Sequence, residues 1–374
     1  MRQALQVLLI TLCSVAATSA VGAEPAPRRW AAIWIRGRML LARVAIVAIC
    51  FACSTTATAD IIVRPVEHHT NEFGGREISR GFRVESDQPL VGRFVWSLSA
   101  QDRTLARGEQ ELRVTEQAAD VTIKFRLNAL RDEVVLPITL TVAVVVEQDE
   151  VSRQELRLWL FPDDPFGPRD EWLRSLDITL FDPVENTSQR FDDSHLPYRS
   201  THNLAAIHDP EQPGILVIGE GVSLRKHRSL AETVLQAAAS GRRVLLLAPA
   251  DGSLTVPGTA RDGLPDGGAP GELRFARQHI ISELDKRLDA LAWQGTNNAV
   301  PASKFLIESR HNRVEATVSD ESRAWPWLEV RYPESGGALV LCGFRVIEHW
   351  NSGPTPRFLL LRLLEHLSPP ASDN

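Results

Sequence analysis

Cysteine is scarce in this chain. There are 4 in 374 residues, and Cys13, Cys50 and Cys53 fall in leader-like stretches. Only Cys342 lies beyond them, which excludes an internal disulfide there. Excess positive charge is lacking too: the net charge is -6, with no basic footprint for nucleic acid. Long apolar runs are missing, because Arg36, Arg38 and Arg43 divide the hydrophobic stretches near the start, leaving each too short to span a membrane comfortably. The C-terminal half holds no Gly-x-Ser-x-Gly or Gly-x-Cys-x-Gly elbow. His68-His69, His195, His202 and His208 have no companions at metal-ligand spacing. No catalytic residue, metal or cofactor is therefore assigned.

What is present begins with residues 1–59, two signal-like segments in tandem. The second starts at Met39, has Arg43 before the apolar run Val44 to Ala52, and exits through Ala57-Thr58-Ala59. That exit is a good A-x-A cleavage site. The expectation is a true start at Met39, cleavage after Ala59, a mature chain from Asp60, and an exported protein (periplasmic or extracellular) with no stable span after cleavage.

With 44% hydrophobic residues the remainder can fill two cores. Residues 60–161 carry about seven short apolar or alternating runs, from Ile61–Val66 to Glu155–Phe161, separated by Asp, Asn, Gln and Gly clusters. That spacing predicts an antiparallel β-sandwich, with Trp96 at the centre of its core between Phe94 and Leu98. Residues 162–168, with three prolines and a glycine, read as a stiff linker.

Residues 169–370 read as an α/β domain. Ile215–Ile218 and Val244–Ala248 are continuous apolar runs, as in strands covered on both faces. Between them Leu224, Leu230, Ala231, Val234, Leu235 and Ala238 recur at helical spacing, and Gly241 stands where a left-handed cap is wanted. Leu176–Phe181, Asn186–Ser194 and Tyr198–Ile207 precede this unit as strand, helix and weak strand. Residues 251–271 form a Gly/Pro-rich loop, a lid or a mobile segment. A long amphipathic helix is predicted from Leu273 to Leu291, and a hairpin from Lys304 to Val318 turning at His311-Asn312. Two strands follow, Trp327–Arg331 and Ala338–Cys342. A buried Leu-rich helix closes the chain, with Thr355 as N-cap before Pro356.

Gly219-Glu220-Gly221 is half of a dinucleotide fingerprint, with Leu224 where the third glycine belongs. Arg225, Lys226, His227 and Arg228 crowd the expected start of the next helix. They read either as an anion site with the Gly219 and Gly221 amides or as a solvated basic face. Asp182, Glu220 and Asp251 each follow a predicted strand, and Glu348-His349 follows the last one. Cys342 reads as a buried thiol. Trp325 and Trp350 are the candidates for an exposed aromatic surface, whereas Trp96, Trp159 and Trp327 fit strand patterns and a core.

The run Gly214-Ile-Leu-Val-Ile-Gly-Glu-Gly221, the run Ser240-Gly-Arg-Arg-Val-Leu-Leu-Leu-Ala-Pro249, and the closing Gly337-Ala-Leu-Val-Leu-Cys-Gly343 with its Leu-rich helix resemble the class I glutamine amidotransferase-like fold. The likeness is to the non-catalytic versions in β-galactosidase-type and other exported proteins. The first half similarly resembles the immunoglobulin-like or jelly-roll sandwiches that accompany family 2 glycoside hydrolases. The implied fold is a β-sandwich followed by a doubly wound, flavodoxin-like or amidotransferase-like α/β domain. Catalytic members place a cysteine at the strand-to-helix elbow; here Pro249-Ala250-Asp251 stands there and no His-x-Glu follows, which removes amidotransferase activity.

The leading expectation is an exported, non-catalytic binding or assembly protein, with carbohydrate or another exported protein as partner. Its candidate ligand-binding residues are Gly219, Glu220, Gly221, Arg225, Asp251, Trp325 and Trp350. One alternative is a glycosidase-like hydrolase using Asp182, Glu220 or Asp251 with His349. The other is an anion- or nucleotide-binding module at Gly219–Arg228.

Overall fold

The computed structural model describes residues 60–368, apart from 132–133, 204–206, 208–213, 256–269, 294–305, 309–312 and 315–325. The leader, Trp325, the His311-Asn312 turn and most of the 251–271 loop lie outside the described residues. Residues from Asp60 onward cluster as one compact unit, mixed in α and β content.

Eight strands open it: β1 (Ile61–Pro65), β2 (Asn71–Phe73), β3 (Glu77–Ser86), β4 (Leu90–Ala100), β5 (Arg103–Val114), β6 (Ala118–Arg126), β7 (Leu136–Val146) and β8 (Asp149–Phe161). They form a three-stranded sheet in the order β1-β3-β6 and a five-stranded one in the order β2-β8-β7-β4-β5. All neighbours run antiparallel except β2 and β8. Alternate residues of both sheets turn inward, as in β3 with Ile78, Phe82 and Val84, to build a shared apolar core. Phe82 and Phe94 hold its centre, ring centroids 5.5 Å apart. Trp96 does not. It lies half-buried at the margin, across from Gly108 and tilted against Phe125 at 5.8 Å.

The second half contains α1 (Asp170–Ser175), β9 (Thr179–Phe181), α2 (Asn186–Asp193), β10 (Arg199–Thr201), β11 (Ile215–Ile218), α3 (Leu230–Ala239), β12 (Arg243–Leu247), β13 (Ser253–Thr255), β14 (Glu272–Ala276), α4 (His279–Leu284), β15 (Leu306–Glu308), β16 (Arg313–Val314), β17 (Trp327–Tyr332), β18 (Gly337–Cys342) and α5 (Pro354–Leu367). Its main sheet runs β10-β9-β11-β12-β18-β17-β14. The first five strands are parallel and the last two antiparallel. Alternate residues of each buried strand serve opposite faces: Val217 and Leu245 pack with α5, while Leu216 and Leu246 pack with α3. Gly241, at φ +101°, turns the chain out of α3, a conformation open to glycine.

Two further sequence expectations change. The helix predicted from Leu273 to Leu291 is replaced by edge strand β14, the six-residue α4, and a 3-10 turn at Ala290–Trp293. The β17 ladder takes up the backbone of β14, pairing Leu273 with Val330 and Phe275 with Leu328. Asp285 then stops α4 in an extended conformation, its carboxylate accepting the Arg287 amide and guanidinium at 3.0 and 2.8 Å. Thr355 is not the N-cap of α5; Gly353 holds that place. The Thr355 hydroxyl instead accepts from Asn71 Nδ2 at 3.0 Å and from the Asp289 amide at 3.2 Å.

That hydroxyl belongs to the seam between the two halves. Asp289 also accepts from the amide and hydroxyl of Thr70, at 2.7 and 2.9 Å. Phe161 meets Phe358 edge-on at 4.7 Å. The Pro-rich segment 162–168 is drawn into the core as well: Phe166 is buried and stacked on Trp350, 5.8 Å between parallel rings. No helix among the described residues is long and apolar enough to cross a membrane.

Candidate binding cleft at the rim of the sheet

The chain reverses direction across the sheet between β9 and β11. From β9 it steps outward to β10, then returns to the other side of β9 and continues through β11, β12 and β18. Loops leaving the carboxyl ends of strands diverge at such a reversal and open a crevice. Here Asp182 follows β9, Gly219–Gly221 follow β11, Ala248–Asp251 follow β12, and Gly343–Trp350 follow β18.

Asp182 positions one wall. It is 3% exposed, and its Oδ2 accepts the Thr187 and Ser188 amides at 2.8 and 2.9 Å. A carboxylate on first-turn amides satisfies orphan donors and complements the helix dipole. Its Oδ1 is buried with no hydrogen-bond partner among the described residues. Thr187 in turn accepts the Glu220 amide on its hydroxyl at 2.9 Å, tying α2 to the end of β11.

The glycines serve this crossing. A Cβ at Gly219 would lie 2.6 Å from Asp182 Oδ1, and Gly221 turns the chain at φ +81°. Their amides donate to Phe181 O at 2.9 Å and Ala248 O at 2.8 Å, so neither faces a phosphate. Arg225 to Arg228 lie in turns ahead of α3, which starts at Leu230 and carries Glu232 in its first turn. The expected cationic helix start is therefore not formed. The Arg225 amide and the Ser223 hydroxyl both donate to Asp251 Oδ1, at 3.2 and 2.5 Å. The Ser223 hydrogen bond is the main force holding the Asp251 carboxyl below its usual range. Asp251 thus staples a turn.

Glu220 is the group that faces the cleft. It is 7% exposed; its Oε2 accepts the Ile347 amide at 2.8 Å and its Oε1 the Glu348 amide at 2.9 Å. Burial pushes its carboxyl up to about 7, with the two amides and Arg345 opposing and Glu348 assisting. The cleft holds about 500 Å³. Asn186, Gln189 and Arg190 of α2, Glu220 and Gly221, and Arg345 with Glu348 give it polar walls, over Ala248, Ala250 and Ile347. Arg345 donates to Glu348 at 2.7 Å. Such walls can accept hydroxyl or ammonium donors and pair a guanidinium with a carboxylate.

Among the sequence candidates, Glu220 and Gly221 line the cleft, whereas Gly219, Asp182, Asp251 and Arg225 only shape its surroundings. His349 is half-buried, its Nε2 3.9 Å from Glu348 Oε1. Trp350 is not an exposed platform: it is 3% exposed beneath Phe166, because the Pro-rich segment folds over it. Trp325 lies outside the described residues, and Trp327 and Cys342 are buried. Asn186, Gln189, Arg190 and Arg345 escaped notice. The first three recur at i, i+3 and i+4 on a helix that was foreseen, which was the available signal.

No known family matches the chain, and no curated protein matches it. Among solved structures, a CARDB domain from Pyrococcus furiosus is similar at 10% identity and TM-score 0.21, covering 29% of this chain and all of that one. A Paenibacillus cycloisomaltooligosaccharide glucanotransferase is similar at 8% identity and TM-score 0.24, over 50% of this chain and 27% of that one. A Bifidobacterium dentium β-glucuronidase gives 12% identity and TM-score 0.19, over 50% and 43%. Likenesses of this size carry no argument about what the chain does.

Proposed function

We propose that this is an exported, non-catalytic binding protein that holds a small hydroxyl-rich ligand, a sugar or sugar acid, in the cleft around Glu220. Its second half is a doubly wound, flavodoxin-like frame of the amidotransferase-like kind without the elbow nucleophile. The observation that carries the reading is Glu220 itself. It is a buried carboxylate fixed by two amides at the strand-order reversal, facing a polar cleft that Arg190 of α2 also lines. The parallel strand order β10-β9-β11-β12-β18 supports the frame. Export rests on the Ala57-Thr58-Ala59 exit.

The test is a thermal-shift screen of the full chain against neutral sugars, uronic acids, amino acids and nucleotides. A ligand at one hundred times its Kd stabilises a fold by about 2.7 kcal/mol. A uronic acid or sugar should raise Tm in the native chain and fail to do so in Glu220→Gln or Arg190→Ala. Silence from every sugar, or a shift that both variants keep, refutes the cleft as the site.

A second reading has one observation behind it. A carboxyl near 7 can give and take a proton at neutral pH, so Glu220 could serve a hydrolase. Hydrolysis of an aryl glycoside that disappears in Glu220→Gln would favour this reading over simple binding.

A further inference from the structure

At the opposite end of the parallel strands lies a row of residues in register. Arg243 opens β12, Arg331 lies near the end of β17, and both pair with Ala338 of β18, one from each side. Register partners present their side chains to the same face of a sheet. Two guanidiniums therefore flank one methyl group, their backbones two interstrand spacings, roughly 10 Å, apart. Ala338 faces the α5 layer. There the end of α5 places His366, Leu367 and Ser368 around a cavity of about 280 Å³ that Arg243 and Arg331 also line.

The two arginines differ in how they are held. Arg331 Nε donates to Glu329 Oε1 at 2.6 Å, and His366 Nε2 lies 3.1 Å from the same oxygen. Burial works against the ionised form of Glu329, yet His366 and Arg331 together hold its carboxyl below the usual range. The Arg243 guanidinium has no hydrogen-bond or ion-pair partner among the described residues. Burial first, then the charge of Arg331, hold its guanidinium below the ordinary arginine range. A partly buried cation facing a second cation is costly unless an anion completes it. At the end of α5 the Leu364 and Glu365 carbonyls accept from the Ser368 hydroxyl and amide, at 2.8 and 3.1 Å.

We infer that this cavity binds the oxyanion group of a small molecule, a carboxylate or a phosphoryl group, between Arg243 and Arg331. Planar guanidiniums suit either by bidentate hydrogen bonding. Glu272, which pairs with Arg331 across β14 and lines the same cavity, opposes the ligand and sets its affinity.

The experiment titrates the full chain with inorganic phosphate, acetate and malonate at constant ionic strength, following Tm and heat of binding. At least one anion should bind saturably. Phosphate alone identifies a phosphoryl site, whereas acetate or malonate identifies a carboxylate site. Arg243→Gln should weaken binding on the order of tenfold or more, as expected for lost charge-assisted bonds, while Glu272→Gln should tighten it. Glu220→Gln, at the other end of the sheet, should leave it unchanged, which keeps this site separate from the cleft. No saturable binding by any of the three, equal binding in Arg243→Gln, or no gain in Glu272→Gln overturns the inference.

Discussion

Glu220→Gln gives a test whose sign is fixed by the structure. The carboxyl is raised from its ordinary 4.5 to about 7, so the folded chain holds a proton there over a pH range in which the unfolded chain has released it. A group raised in this way contributes stability below the unfolded value, and that contribution is lost as pH rises through the folded value. At about 1.4 kcal/mol per pH unit, the loss between pH 4.5 and 7 comes to about 3 kcal/mol. Glutamine cannot ionise, so the variant escapes this loss. Urea denaturation of both chains from pH 4.5 to 8 should show the variant gaining on the native chain by about 3 kcal/mol. The gain should be complete near pH 7.5. A difference that stays flat, or that moves the other way, would mean that the Ile347 and Glu348 amides keep Glu220 ionised throughout, and the burial argument would fail.

Other outcomes follow from the same contacts. Asp182→Ala removes the acceptor for the Thr187 and Ser188 amides and should cost about 1–2 kcal/mol in urea denaturation, as lost helix caps do. It should also weaken cleft ligands, because Asn186, Gln189 and Arg190 ride on that helix. Phe358→Ala deletes a buried ring at the seam with Phe161 and should cost about 3–5 kcal/mol. Near-UV and far-UV signals should still move in one transition; two separated transitions would show that the halves fold independently.

How far these features could be read in advance follows the range of the forces that make them. Strand alternation is local, and seven of the eight sandwich strands were legible from it; β2, three residues of Asn71-Glu-Phe73, has no period to read. The βαβ unit and Gly241 were legible because continuous apolar runs and a left-handed cap leave marks in adjacent residues. Leu273–Leu291 misled, because Leu273, Ala276, Ile280 and Ile281 meet the helical period while Leu273 and Phe275 meet the strand one, and only β17, more than fifty residues later, decides between them. Trp350 misled for the same reason: its cover, Phe166, sits in a Pro-rich stretch that reads as a bare connection. The position of Glu220 after a buried strand was legible. Its raised carboxyl was not, because the amides of Ile347 and Glu348 arrive from more than a hundred residues away, and the burying walls come from separate elements on either side in the chain.

Those distant contacts converge on one segment, from β18 through α5. Its first loop supplies the amides that hold Glu220. The start of α5 carries the Thr355 hydroxyl that Asn71 reaches from the sandwich, and one turn later Phe358 meets Phe161. Its last turn walls the arginine pocket through His366. A helix of 14 residues with ten of them buried is poorly able to shift at one end alone, since a close-packed interior moves by discrete repacking and not by gradual deformation. The seam with the sandwich therefore grips the helix whose last turn walls the arginine pocket and whose preceding loop holds Glu220. This is why the sandwich contacts, far from either cavity, are expected to set how firmly both are formed.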